Sequence, residues 1–294
     1  MQVFITGATG FIASAIVKEL LAGGHQVLGL TRSDAGEKSL IAAGANVHRG
    51  SLDDLDSLRS GAAKSDGVIH CAYNNDFSKM EETSRQESLA IEALGNELVG
   101  SQRPLLITSV AAMGIAVPGQ PGTENHFDPN QQNPRKATEI AGLALANRGV
   151  NVSVVRLPQV HNTVRQGIVS GLINVAKEKK ISAYIGDGIN RWSAAHVLDI
   201  AHLYRLVLEK QEAGRYHAVA EEGIQLSLIA EAIGKRLAIP VVSLSVEEAR
   251  QHFGPLAMFV GLDMSASGRQ TRERLGWNPT NPGLIQDISK TIIL

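Results

Sequence analysis

The segment that most constrains this chain is Thr6-Gly7-Ala8-Thr9-Gly10-Phe11-Ile12-Ala13, which follows an apolar run at residues 3–6. After it, Phe11, Ile12, Ala15, Ile16 and Leu20 recur on one face at helical spacing, and Gly23-Gly24 ends the pattern. A chain that leaves a strand, turns at two glycines and enters an amphipathic helix is starting a βαβ unit. Gly7 permits the tight turn. Gly10 removes a Cβ where the backbone must approach a bound group. The helix start offers unpaired N–H groups and a partial positive charge, which suit a phosphate. Ala13 stands where a third glycine often allows close helix–strand packing, and alanine serves there as well. Thr6, Gly7, Thr9, Gly10, Phe11 and Ile12 are therefore the candidate residues for a dinucleotide pyrophosphate.

Further apolar runs at residues 26–30, 46–48, 67–71, 104–108 and 152–157 alternate with helical patterns. They are nearly continuous rather than alternating, as strands covered on both faces of a parallel sheet are. The expectation is an α/β fold with a doubly wound parallel sheet of Rossmann type in residues 1–160, and a smaller substrate-binding region in 161–294. Some segments of the second region should return to the first. Helices are expected over 164–180, 196–210 and 226–237, and a strand over 241–244. The loop 117–133, rich in Pro, Gly, Asn and Gln, falls where an active-site loop would lie.

The end of the second strand, roughly 20 residues past the glycine turn, reads the adenosine ribose in such folds. NAD-binding chains usually place a carboxylate there. This chain has Leu30-Thr31-Arg32-Ser33. Arg32 can pair with a 2′-phosphate and Ser33 can donate to it, so the expected cofactor is NADP rather than NAD. The other reading of Arg32 is a solvated residue that stacks on adenine.

Composition narrows the partners. A formal charge of -1, with acidic and basic residues interleaved, argues against nucleic acid or an anionic membrane. Aromatics are 4%, so the core should be aliphatic. The single cysteine, Cys71, cannot form an intramolecular disulfide and reads as a small buried hydrophobe. With no basic-then-apolar leader and no apolar run near the roughly 20 residues of a membrane helix, a soluble cytoplasmic protein is expected. Its partner would be a small-molecule substrate, and its state a monomer or homodimer. No His-x-x-x-His or Cys-x-x-Cys pair suggests a metal.

The spacing Thr-Gly-x-x-Gly-x-x-Ala resembles the extended short-chain dehydrogenase/reductases, the NAD(P)-dependent epimerase/dehydratase-like group. Other segments are similar to that group as well: Gly50-Ser51-Leu52-Asp53-Asp54, His70-Cys71-Ala72, Val155-Arg156-Leu157-Pro158, His196-Val197-Leu198-Asp199-Ile200-Ala201 and Leu275-Gly276-Trp277-Asn278-Pro279. The resemblance implies that Ser51 and Leu52 contact adenine. It also implies that Cys71, Ala72, Thr108 and Pro158 line the cofactor.

The group's catalytic set is a serine followed by Tyr-x-x-x-Lys. The tyrosine works as acid or base, and the lysine holds the ribose. Ser109 matches the serine. Gln131 and Arg135 fall at the tyrosine and lysine positions, or Gln132 and Lys136 in the neighbouring register. Neither register has a tyrosine. The chain thus resembles an atypical subgroup that keeps the cofactor motif and lacks the usual active-site residues.

Substrates of open α/β sheets bind beyond the carboxyl ends of the strands. Tyr73, Ser109 and His161 follow the fourth, fifth and sixth strands. Tyr73 or His161 can deliver a proton, Ser109 can hydrogen-bond a substrate carbonyl, and Arg135 keeps a charge near the ribose. Each also has a structural reading: a turn cap, a packed ring, a core histidine. In the group an arginine near Arg191 grips a nucleotide-sugar diphosphate, and Trp192 would wall a pocket or pack. Three functions stay open. One is an NADP-dependent carbonyl reductase or alcohol dehydrogenase with a non-standard proton donor. Another is a catalytically silent NADP-binding regulator or binding module. The last is a nucleotide-sugar epimerase/dehydratase.

Overall fold

The computed structural model describes residues 1–74 and 79–291. The first half runs β1 (Gln2–Thr6), α1 (Phe11–Ala22), β2 (Gln26–Thr31), α2 (Asp34–Ala42), β3 (Asn46–Arg49), α3 (Leu55–Ala63), β4 (Gly67–His70), α4 (Met80–Asn96), β5 (Pro104–Val110), α5 (Lys136–Ala146) and β6 (Asn151–Leu157). The second half runs β7 (Gln159–His161), α6 (Ile168–Lys179), β8 (Ser182–Ile185), β9 (Arg191–His196), α7 (Val197–Lys210), β10 (Gly214–His217), β11 (Glu221–Gln225), α8 (Leu226–Leu237), β12 (Val241–Leu244), α9 (Val246–Phe253), α10 (Ala257–Val260), α11 (Arg269–Leu275) and α12 (Leu284–Lys290).

The main sheet has seven strands in the order β10-β6-β5-β4-β1-β2-β3, every neighbour parallel. One face is covered by α1, α2 and α7, whose Ile16, Val17, Leu20, Leu40, Leu203 and Val207 pack on Val3, Ile5 and Leu106. The other is covered by α3, α4 and α5, whose Leu58, Ile91, Leu94 and Leu145 pack on Phe4, Val68, Leu105 and Ile107. This is the expected doubly wound fold. The strand order reverses between β1 and β4, so a crevice opens at their carboxyl ends.

The sheet has one strand more than the six that apolar runs mark in the sequence. The seventh, β10, lies beyond residue 160 and pairs with β6 from Gly214 to His217. Its Gly-Arg-Tyr-His sequence carries no apolar run to announce it. The remaining elements surround a second core built on Trp192, Ile229, Phe253 and Ile288, with sheets β11-β9-β7 and β12-β8. Trp192 is therefore a core residue.

Two boundaries also move. The helix expected from 164 begins at Ile168, because the Asn162 side chain accepts from the N–H of Val164 and Arg165 and Gly167 has φ +56°. His196 caps α7 rather than opening it, its ring nitrogen accepting from the N–H of Leu198. Among the described residues no helix is long and apolar enough to cross a membrane.

Candidate active site

The glycine turn closes as its residue types require. Gly7 has φ +67°, and a Cβ there would lie 2.9 Å from both the N and the Cα of Ala72. Only glycine brings the end of β1 this close to the end of β4. Gly10 donates to the Gly7 carbonyl at 2.8 Å and stands as the cap of α1, which no side chain caps and whose first turn has no acidic residue. The first N–H groups of the helix have no intrahelical acceptor. The arrangement fits a pyrophosphate. Phe11 and Ile12 are half-buried at the helix start, and Thr9 is exposed.

Thr6 is fully buried. Its hydroxyl accepts from the Ala72 N–H at 3.3 Å and lies 2.8 Å from Nδ1 of His70. The Thr6 hydroxyl and Nδ1 share one hydrogen bond, and among the described residues Nε2 of His70 has no hydrogen-bond partner. Burial and the nearby Arg135 guanidinium push this imidazole down to about 3, so it is neutral. Cys71, expected as a small buried hydrophobe, is half-buried and packs against the main core. Burial of its thiol pushes it up to about 11. Thr108 donates to the His70 carbonyl at 2.7 Å and meets the Tyr204 hydroxyl at 2.7 Å.

At the adenosine end, Arg32 is exposed beyond β2. Ser33 caps α2, its oxygen accepting from the Gly36 N–H at 3.1 Å, and its hydroxyl hydrogen stays free to donate. The neighbouring carboxylates Asp34 and Glu37 are held by Arg49 at 2.7 and 3.3 Å. Ser51 and Leu52 are half-buried after β3, with Leu52 packed on the core and Asp54 capping α3. Pro158 is half-buried between β6 and β7.

Tyr73 follows Ala72 directly. Its ring lies under the Arg135 guanidinium, 3.8 Å from centroid to Cζ, and its hydroxyl is 3.5 Å from Ser84. Arg135 itself is buried. One of its terminal nitrogens reaches both Glu87 oxygens, at 3.1 and 3.0 Å, and the other donates to the Thr108 carbonyl at 2.8 Å. Thr138 adds a 2.6 Å bond to Glu87. Burial pushes the Glu87 carboxyl up, against the pull of Arg135. The structure therefore brings Tyr73 and Arg135 together. Glu87 does not stand out in the sequence, because a glutamate in a polar helix gives no sign that it faces inward.

Two further candidates lie in buried side-chain contacts. Ser109 is fully buried and donates to Glu139 at 2.9 Å. Glu139 also takes Arg156 at 2.7 Å and Arg215 at 2.9 Å. Arg156 in turn holds the 117–133 loop through the carbonyls of Thr123 and His126. His161 is fully buried as well, bonded through Nδ1 to Asp287 on α12 at 2.7 Å. Burial pushes it down despite that carboxylate, so it is a core histidine and not an accessible acid. At the position matching the group's tyrosine, Gln131 turns onto its own loop and donates to the Asp128 carbonyl. Gln132 is exposed and Lys136 half-buried. Arg191 is paired with Asp263 at 2.9 Å and donates to the Gly119 carbonyl.

The fold and the glycine turn define a dinucleotide-binding Rossmann protein of oxidoreductase type. The chain belongs to the NAD dependent epimerase/dehydratase family, whose model matches residues 3–220. Uncharacterized protein C2A9.02 of Schizosaccharomyces pombe is 48% identical over 291 residues, which is 98% of each chain. A Dictyostelium discoideum sterol-4-alpha-carboxylate 3-dehydrogenase, decarboxylating, is 26% identical over 244 residues, 76% of this chain and 73% of that one. The Thermus thermophilus UDP-glucose 4-epimerase, solved in complex with NAD, has a TM-score of 0.76 at 20% identity, over 99% of this chain and 97% of that one. That likeness is one of fold.

Proposed function

We propose that the protein is an NADP-dependent oxidoreductase of the carbonyl reductase or alcohol dehydrogenase type, acting on a small organic substrate with Tyr73 as its proton donor. The observation that carries this reading is the placement of Tyr73. It is the residue after Ala72, the backbone that packs on the phosphate turn, and a buried arginine lies flat on its ring. Of the chain's 4 tyrosines, Tyr204 and Tyr216 are fully buried and Tyr184 lies on β8. A cation against an aromatic face is attracted to the ring and fixes its orientation. A guanidinium donates hydrogen bonds but does not shuttle protons, so the phenol is the group that moves one.

When bound, a reduced nicotinamide supplies the hydride that adds to the carbonyl carbon. The Tyr73 proton then goes to the carbonyl oxygen, and an alcohol results. The second region, 161–294 less the segments that return to the main sheet, forms the substrate side. Preference for NADP rests on Arg32, an exposed guanidinium whose neighbouring carboxylates are already engaged by Arg49.

The purified protein should oxidise NADPH in the presence of one or more members of a carbonyl panel. Tyr73→Phe should lower that rate about 100-fold or more and leave NADP affinity unchanged. An undiminished rate in Tyr73→Phe would remove the phenol from the chemistry. Tight NADP binding with no turnover would identify a silent binding module. Turnover of a nucleotide-diphosphate sugar would favour the epimerase/dehydratase reading.

A further inference from the structure

We infer that Arg165 clamps the pyrophosphate of the bound dinucleotide from the side opposite the glycine turn. The inference rests on the dinucleotide reading of that turn and adds a residue to it. Residues 6–14 carry no charged side chain. A pyrophosphate has two negative charges, and a helix start offers roughly half a positive charge. A cation from elsewhere in the chain would offset part of the remaining charge.

Arg165 is placed to supply it. Its guanidinium carbon lies 5.6 Å from the ring centroid of Phe11, the first residue of α1. The side chain is exposed, and among the described residues no carboxylate pairs with it. In this it differs from Arg135, Arg156, Arg191, Arg205, Arg215, Arg272 and Arg274, all of which are held by acidic partners. Contact with a ring face leaves the N–H fork unoccupied, and that fork matches two phosphate oxygens.

The backbone beneath Arg165 is fixed. Asn162 donates its N–H to the Arg165 carbonyl at 2.8 Å, and the Asn162 side chain accepts from the Arg165 N–H at 2.9 Å. Gln166, almost fully buried, donates to the Asn162 carbonyl at 2.8 Å. The reversal follows β7, so the guanidinium reaches the Phe11 ring at the start of α1 from the β11-β9-β7 sheet. A bound pyrophosphate would then be gripped by the main sheet's helix on one side and by this loop on the other.

Arg165→Ala should fold normally, because the side chain is exposed. Titration calorimetry with NADP+ and with NAD+ should show both affinities reduced about tenfold and by the same ratio, since the pyrophosphate is common to both. Arg165→Lys should recover part of the loss. Arg32→Ala supplies the contrast, weakening NADP+ more than NAD+. Unchanged affinities in Arg165→Ala, or a loss confined to NADP+, would overturn the clamp while leaving the cofactor site standing. A wild-type chain that binds neither dinucleotide would overturn the cofactor reading and the clamp with it.

Discussion

Replacing Gly7 by alanine tests the site at its narrowest point. Two costs are expected. A non-glycine residue at φ +67° loses roughly 1–2 kcal/mol to backbone strain. The new Cβ would also stand 2.9 Å from the N and Cα of Ala72, backbone atoms just past the end of β4 that have no rotamer to give. Overpacking of that kind costs roughly 1–3 kcal/mol. The sum is about 2–5 kcal/mol, and at about 2–4 °C per kcal/mol it lowers the melting temperature by roughly 5–20 °C. Gly24→Ala is the control. It has φ +81° and nothing within 4 Å of the built Cβ, so it carries the strain without the collision. Differential scanning calorimetry on both variants separates the two costs. Titration with NADP+ should show at least a tenfold loss for Gly7→Ala and none for Gly24→Ala. Equal melting temperatures and equal affinities in the two variants would refute the close approach of β1 and β4.

Acid sensitivity should come in part from two imidazoles kept neutral. Burial holds His70 at about 3 and His217 at about 4, both below the ordinary 6.5. The unfolded chain takes up these protons first, so stability is full above pH 6.5 and falls as the pH drops toward those values, by up to about 1.4 kcal/mol per unit for each group. Urea unfolding at a series of pH values should show this slope, and His217→Asn should make it shallower. Glu139→Gln should destabilise by about 3–5 kcal/mol, because it leaves the fully buried Arg156 without its carboxylate. Denaturant midpoints measure the loss, and a change below about 1 kcal/mol would contradict the assigned ion pair.

Much of this architecture was legible because its signals are local. The glycine turn needs a positive φ and a missing Cβ, and both are written as Gly7 and Gly10. The parallel strands are buried on both faces, so β1, β4, β5 and β6 read as apolar runs. What was not legible depends on tertiary contact. β10 is a strand because β6 offers it an edge, and Gly214, Arg215 and His217 say nothing of that. Ser109 sits at the family position, yet its hydroxyl is taken by Glu139, thirty residues on. His161 follows a strand end as an accessible acid would, but α12 folds over it and presents Asp287. The pairing of Tyr73 with Arg135, and of Arg135 with Glu87, joins three segments that no spacing rule connects.

The late return of α7 and β10 to the main sheet bears on how the chain is made. Until residues 197–217 leave the ribosome, the face that α7 will cover, with Ile16, Leu20 and Leu106, stands bare, and β6 is an open edge. At roughly 5–20 residues per second, the nascent nucleotide-binding layer waits on the order of seconds for its missing cover. Synthesis thus carries a pause during which this half needs shielding from its neighbours, and a chain ended at residue 160 would never leave it.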